Sequence, residues 1–360
     1  MRLSSLEKSR DKHKGNGGVI LWCWRRMLSL AHRLYSELVA RLGGAGSEII
    51  EIGGLSVRVG KRVAEGGFAF VHIASDANDR SRIFALKKIV CHEKEDIAKA
   101  LKEMELLSQL AVHPNIVRFR AGTKRLSGPG DGMLATQVVL LTDFYECGGL
   151  NEAMLAMQDE GSSVCETGLL TLFAHACSAV AHLHSQSPPI AHRDIKMENF
   201  LLEGDLTQIT NGHGRLVLCD FGSATTRAKV YEGRREILEE EETIQKTTTI
   251  AYRAPEMVDL YQRKLINEKV DVWALGVLLY VMAFSRFPFD PLAPLAILSG
   301  QYAMPPPCSA GAPPPPTYST TVTSLLANCL TVDPDVRSTV FQILGRLPAT
   351  GGVMARAGAG

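Results

Sequence analysis

None of the chain's eight cysteines forms a C-x-x-C pair, no His/Cys cluster shows metal-ligand spacing, and no internal repeat is present. The scattered cysteines argue against a disulfide framework or structural zinc site and for reduced thiols in a cytoplasmic protein. An excess of either charge is missing too. Thirty-nine Lys plus Arg against thirty-eight Asp plus Glu leave a net charge of +1, so global charge gives no argument for nucleic acid or a polyanionic partner. Near the N-terminus the unbroken apolar run, Val19 to Trp24, is six residues long. A membrane span needs about 20, and the run is also short for a signal-peptide core.

What is present begins with a polar, glycine-containing stretch, 1–18, read as disordered. Val19 to Leu42 then predicts a basic amphipathic helix, with Leu28, Ala31, Leu34, Leu38 and Leu42 at helical spacing among four arginines. Such a helix either contacts an anionic membrane surface peripherally or packs on a neighbouring lobe. The alternation of Val57, Val59 and Val63 predicts a strand, followed by AEGGFAFV and a second strand. The 64–71 connection is small in side-chain bulk and suits a loop that brings backbone N–H groups to phosphate oxygens. Against the pattern G-x-G-x-x-G-x-V it keeps only Gly66 and Val71; Ala64 and Ala69 stand at the flanking glycine positions.

IFALKKIV reads as a strand with Ala85 and Lys87 on one face and Lys88, expected in solvent, on the other. The stripe Ile97, Ala100, Leu101, Met104 and Leu107 predicts a helix that carries Glu103 toward Lys87. Gly128 to Gly132 is expected to be a flexible loop and Val138 to Leu141 a buried strand. The segment 143–149 loses periodicity and reads as a hinge, followed by helices over Leu150–Gln158 and Leu169–His184. His175, His182 and His184 on the second helix read as ordinary core or surface histidines. In HRDIKMENFLL, Asp194, Lys196 and Asn199 place an acid, a cation and a neutral oxygen ligand on one loop, with Asp220-Phe221-Gly222 to follow. That set suits phosphoryl transfer. Residues 220–256 read as one long charged segment, 271–284 as a buried helix, the proline runs 305–307 and 313–316 as rigid loops, and 349–360 as a Gly/Ala tail.

Lys87, Glu103, His192-Arg193-Asp194, Lys196, Asn199, Asp220-Phe221-Gly222, Ala254-Pro255-Glu256, Asp271 and Arg337 occur in the order seen in eukaryotic protein kinases, which the chain resembles over residues 48–348. Lys196, two after the aspartate, resembles the serine/threonine type. EGGFAFV, ALKK, HPNIV, LCDFGSATT, PEMVDLY and DVWALG are similar to the Numb-associated kinases, the group of adaptor-associated and cyclin-G-associated kinases.

The resemblance implies an α+β, bilobal fold: an extension 1–47, a β-rich N-lobe 48–142 with one main helix, a hinge 143–149, a mostly helical C-lobe 150–348 and the tail. It implies ATP and Mg²⁺ as cofactors, with Asp194 as base and Lys196 on the γ-phosphate. Asn199 and Asp220 would hold the metal. The nucleotide would lie among Ala64, Glu65, Gly66, Gly67, Val71, Ala85, Lys87, Glu103 and Leu201, with Thr142 at the rear and the backbone of Asp143 and Tyr145 on the adenine edge. Thr249 would bond Asp194 and Lys196. Thr243, Thr247 and Thr248 are activation-segment phosphosites if Arg193 leaves a positive charge open; alternatively the glutamate run 239–242 already supplies the counter-charge, or forms a solvated face. Glu256 would pair with Arg337, and Asp271 would brace the loop backbone. The expected partner is a protein with a Ser or Thr acceptor, for this group the medium chain of a clathrin adaptor in endocytosis. The alternative implied by the two alanines is an inactive scaffold.

Overall fold

The computed structural model describes residues 48–65, 69–126, 135–291, 293–304 and 318–348. The expected N-terminal helix, Gly66 and Gly67, the 128–132 loop, both proline runs and the Gly/Ala tail lie outside the described residues. The first lobe is an antiparallel six-stranded sheet in the order β1-β2-β3-β4-β6-β5. Its strands are β1 (Ile49–Ile52), β2 (Leu55–Glu65), β3 (Ala69–Asp76), β4 (Ile83–Cys91), β5 (Phe119–Leu126) and β6 (Thr136–Asp143). Gly53 and Gly54 join β1 to β2 with φ of 55° and 83°, a left-handed turn that glycine adopts without a Cβ penalty.

Period-2 alternation gives this sheet two different faces. Phe84 and Leu86 of β4 pack with Ile50, Ile52, Val57, Val139 and Leu141 into a core of their own, closed by the β1–β2 hairpin. Lys88 follows on the same face. It is not the solvent lysine expected from the sequence: only 4% exposed, it places Nζ 2.7 Å from Glu48 Oε2. Glu48, just before β1, also pairs with Arg125 at 2.7 Å. The hairpin that covers this face therefore brings the counter-charge with it, and burying the cation is tolerated because it is paired.

Helix α1 (Lys94–Gln109) crosses the other face and buries Ala100, Glu103 and Leu107. Asp96 Oδ2 accepts the N–H groups of His92 and Glu93 at its start, satisfying donors that a helix N-terminus leaves open. The second lobe holds α2 (Leu150–Asp159), α3 (Glu166–His184), the hairpin β7 (Phe200–Glu203) and β8 (Arg215–Leu218) around α4 (Leu206–Thr210), then α5 (Arg234–Thr247), α6 (Pro255–Val258), α7 (Lys269–Phe284), α8 (Pro294–Ser299), α9 (Thr320–Cys329) and α10 (Val340–Leu344). α3 and α7 are apolar almost all round and form the centre of a large core that also takes Ala100 and Leu107 of α1. The arrangement is α+β with two lobes.

One element differs from the sequence expectation. Residues 220–256, read as one long segment, hold a helix that was not expected: α5 occupies 234–247 with Ile237, Glu240 and Ile244 on its buried side. Strong helix formers, together with the i,i+4 pairs Arg235–Glu239 and Glu242–Lys246, account for it. Among the described residues no helix is long and apolar enough to cross a membrane.

Candidate active site

Cross-strand partners share a face of the sheet, so the register places one set of side chains together. Val71 pairs with both Ala64 and Lys87, and Ala85 pairs with Ile73 and Thr142. Ala64, Val71, Ala85, Lys87 and Thr142 therefore share one side of β2, β3, β4 and β6. Leu201 approaches from the second lobe on β7, bridged to Gly149 at the end of the hinge. Asp143 is the last residue of β6 rather than the first of a loop, and Arg120 holds its carboxylate at 2.5 and 2.9 Å. The Tyr145 phenol is pushed up to about 12, chiefly by burial, and bonds the Arg118 backbone. Glu65 ends β2, exposed, paired with Arg62 at 3.3 Å.

The Lys87 ammonium lies 2.7 Å from Glu103 Oε1 on α1 and 2.7 Å from Asp220 Oδ1 beyond β8. Burial alone would disfavour that charge, but the two carboxylates outweigh it and raise the lysine's pKa. Asp220, open to the cleft, is held down to about 2, first by the charge of Lys87. Glu103 moves the other way: burial, helped by the negative charge of Asp220, raises it against the pull of Lys87. One cation thus ties a strand of the first lobe to α1 and to the second lobe.

The loop 192–199 hangs on α7. Asp271 accepts the N–H of His192 at 2.7 Å and of Arg193 at 2.8 Å. This holds Arg193 at φ 68°, a left-handed conformation that costs a non-glycine residue about 1–2 kcal/mol. Asp194 Oδ1 then accepts both the N–H (3.1 Å) and the hydroxyl (2.7 Å) of Thr249. Lys196 Nζ lies 2.7 Å from Asp194 Oδ2 and donates to Thr249 Oγ1 at 2.9 Å. Asn199 Nδ2 donates to the Asp194 carbonyl at 2.7 Å. Glu256 on α6 and Arg337 form a two-pronged pair at 2.7 and 2.8 Å.

The sequence matches the protein kinase domain family over residues 57–346. The chain belongs to the protein kinase family. Similar proteins include a probable serine/threonine-protein kinase of Dictyostelium discoideum, 34% identical over 85% of this chain and 25% of that protein. Serine/threonine-protein kinase ppk30 of Schizosaccharomyces pombe is 33% identical over 82% of this chain and 28% of its own length. Serine/threonine-protein kinase sel-5 of Caenorhabditis elegans is 36% identical over 69% and 22%. The chain spans about a quarter of the length of these relatives.

One residue of this candidate site had no clear sequence signal, and others make contacts that their motifs do not announce. His184, read as an ordinary histidine, places Nε2 3.0 Å from Asp271 Oδ2 and so shares in bracing the loop. The His192 ring stacks edge-on against Phe221 at 5.0 Å and reaches the Cys219 carbonyl. Cys219 itself is a thiol pushed up to about 12 by burial, which suits a packing residue. Arg193 does not leave its charge open: Glu240 on α5 receives its Nη2 at 2.6 Å. Thr243, Thr247 and Thr248 turn their hydroxyls back to the carbonyls of Glu239, Thr243 and Ile244 within 2.9 Å.

The residues present fit magnesium and a triphosphate. With its amide N–H engaged by Asp194, Asn199 keeps an oxygen to offer, and Asp220 adds an ionised carboxylate; Mg²⁺ takes such hard oxygen ligands. Among the described residues no cluster of three His, Cys, Asp or Glu forms a softer metal site.

Proposed function

We propose that this kinase transfers the γ-phosphoryl group of Mg-ATP to serine or threonine hydroxyls of proteins, with Asp194 accepting the hydroxyl proton. The observation that carries the reading is the Lys87–Glu103–Asp220 contact made together with the Asp194–Lys196–Thr249 cluster. Together these two clusters would supply both halves of a phosphoryl-transfer site. Lys87 would bear on the α- and β-phosphates and Lys196 on the γ-phosphate, while Asn199 and Asp220 would hold magnesium, which supplies charge neutralisation on the phosphate oxygens. Asp194 has one oxygen fixed by Thr249 and the other beside Lys196, so its carboxylate cannot swing away from the acceptor. As the acceptor O–P bond forms and the bond to the β-phosphate oxygen breaks, the hydroxyl proton passes to Asp194.

Resemblance to the Numb-associated group supports a threonine of a clathrin-adaptor medium chain as the first substrate to test, in the cytoplasm, with the 1–47 extension as a peripheral membrane contact. The test incubates the full chain with Mg-[γ-³²P]ATP and a threonine-containing adaptor peptide. Incorporation should fall by at least 10³-fold in Asp194→Asn, the scale on which single groups act in such sites. Equal incorporation by both proteins refutes the assignment. Activity on a generic Ser/Thr peptide but not on the adaptor peptide keeps the chemistry and removes the substrate. Liposome co-sedimentation unchanged by removing residues 1–47 removes the membrane contact.

A further inference from the structure

Three positive side chains converge outside the phosphoryl-transfer cluster. Arg193, from the loop that carries Asp194, is 8% exposed; Arg227 comes from the stretch after Asp220-Phe221-Gly222; Lys102 lies on α1 one residue before Glu103. Lys102 is near enough to both guanidinium groups that, after burial, their charges lower its pKa. Left alone, Arg193 and Arg227 would drive apart two segments that the site needs together.

One side chain meets the two arginines. Glu240, 2% exposed, takes Arg193 Nη2 on Oε1 at 2.6 Å and Arg227 Nη2 on Oε2 at 2.9 Å. The hydroxyl of Tyr231, itself buried, hydrogen-bonds the same carboxylate. A carboxylate bidentate to two arginines is a strong arrangement, and it gives the catalytic loop and the stretch after Asp220-Phe221-Gly222 the same anchor. The helix that presents it is pinned at its far end. Arg253 donates to Thr248 Oγ1 at 2.8 Å and to the carbonyls of Thr248 and Ile244, and Ser223 Oγ donates to the Thr247 carbonyl. Thr249, which holds Asp194, follows directly.

We infer that Glu240 is a positioning residue for phosphoryl transfer: a built-in counter-charge that locks α5 and Thr249 against the catalytic loop, so that phosphorylation of the activation segment is not required. The inference rests on the kinase activity proposed above. A phosphate on Thr243, Thr247 or Thr248 would have to break a hydroxyl-to-carbonyl bond on α5 and then compete with a carboxylate already seated between the arginines.

The test uses the full chain treated with a protein phosphatase, its intact mass confirming that no phosphate remains. Treated wild type should keep kcat within twofold of untreated protein. Glu240→Ala and the same-shaped Glu240→Gln should each lower kcat at least tenfold with KM for Mg-ATP within threefold, and Glu240→Asp should recover a third or more of wild-type kcat. A residue that merely filled space would be rescued by Gln rather than Asp. Loss of wild-type activity on phosphatase treatment, or Glu240→Gln within twofold of wild type, overturns the proposal. Hydrogen exchange decides independently of activity. Glu240→Gln should speed exchange at least fivefold across 223–249 and at the amides of Arg193 and Asp194, with α7 unchanged. Exchange identical to wild type there defeats the inference, even for a chain that transfers no phosphate at all.

Discussion

Two buried residues show how environment sets the role of a charge. Glu256 and Arg337 have side chains with no exposure, and the guanidinium also reaches the carbonyls of Thr331, Val332 and Lys269 and stacks over Trp273 at 5.2 Å. Every donor has a partner, so the cost of removing one member is the cost of stranding the other. Glu256→Ala should lose about 3–5 kcal/mol of unfolding free energy in urea, whereas a matched apolar double variant, Glu256→Leu with Arg337→Met, should recover most of it. His175 makes the complementary case. Its Nδ1 accepts the Leu216 N–H at 3.4 Å, which requires an unprotonated nitrogen, and burial lowers its pKa to about 4. A depressed folded-state value means the neutral ring's contribution is complete above the unfolded pKa near 6.5 and is lost as pH falls through about 4. Between pH 7 and pH 5 this one group should cost the native state roughly 1–2 kcal/mol. Chemical denaturation of wild type and His175→Gln across that range should show a flatter pH dependence in the variant.

At the scale of elements, legibility tracked how much of an element's reason lies within its own residues. β4 declares itself: alternating side chains put Ala85 and Lys87 on one face regardless of what packs there. The fate of Lys88 does not follow, because the strand cannot know that a hairpin from 48–59 will cover its other face with Glu48 attached. Likewise α5 was obscured by its composition. Only Ile237 and Ile244 mark its apolar side, and the third buried position is a glutamate whose partners lie some distance along the chain. Periodicity scores such a residue as surface. The Lys88 case yields a measurable consequence. Glu48→Ala takes an ion-pair partner from a cation buried beneath the hairpin, and weakening the satisfaction of such a buried group costs about 1–3 kcal/mol. Hydrogen-exchange protection in β1 and β2 should drop accordingly while α7 is untouched; equal protection in β1 and β2 would mean the ion pair carries no weight.

For the molecule as a whole, the site was readable because its side chains sit in short, ordered motifs, while the links between the lobes were not, because they are made by tertiary contacts of single residues. The sheet's outer face has a core separate from the one that joins α1 to the second lobe. Lys87 reaches from the sheet to Glu103 and Asp220, so its ion pairs couple two bodies whose hydrophobic cores are distinct. A nucleotide held between Lys87 and the Asn199–Asp220 pair would strengthen that coupling, since a ligand that binds only the native state stabilises it by about 2.7 kcal/mol at a hundred times its dissociation constant. A non-hydrolysable ATP analogue with Mg²⁺ should therefore raise the melting temperature of the chain and slow exchange in β3 and β4 as well as at 218–222. Lys87→Met should abolish the response in the strands, where the lysine is the link, and Asp220→Asn should abolish the part of the shift that depends on Mg²⁺. A melting temperature that rises with the analogue alone and is indifferent to Asp220 would place the metal elsewhere than the carboxylate that Lys87 now holds ionised.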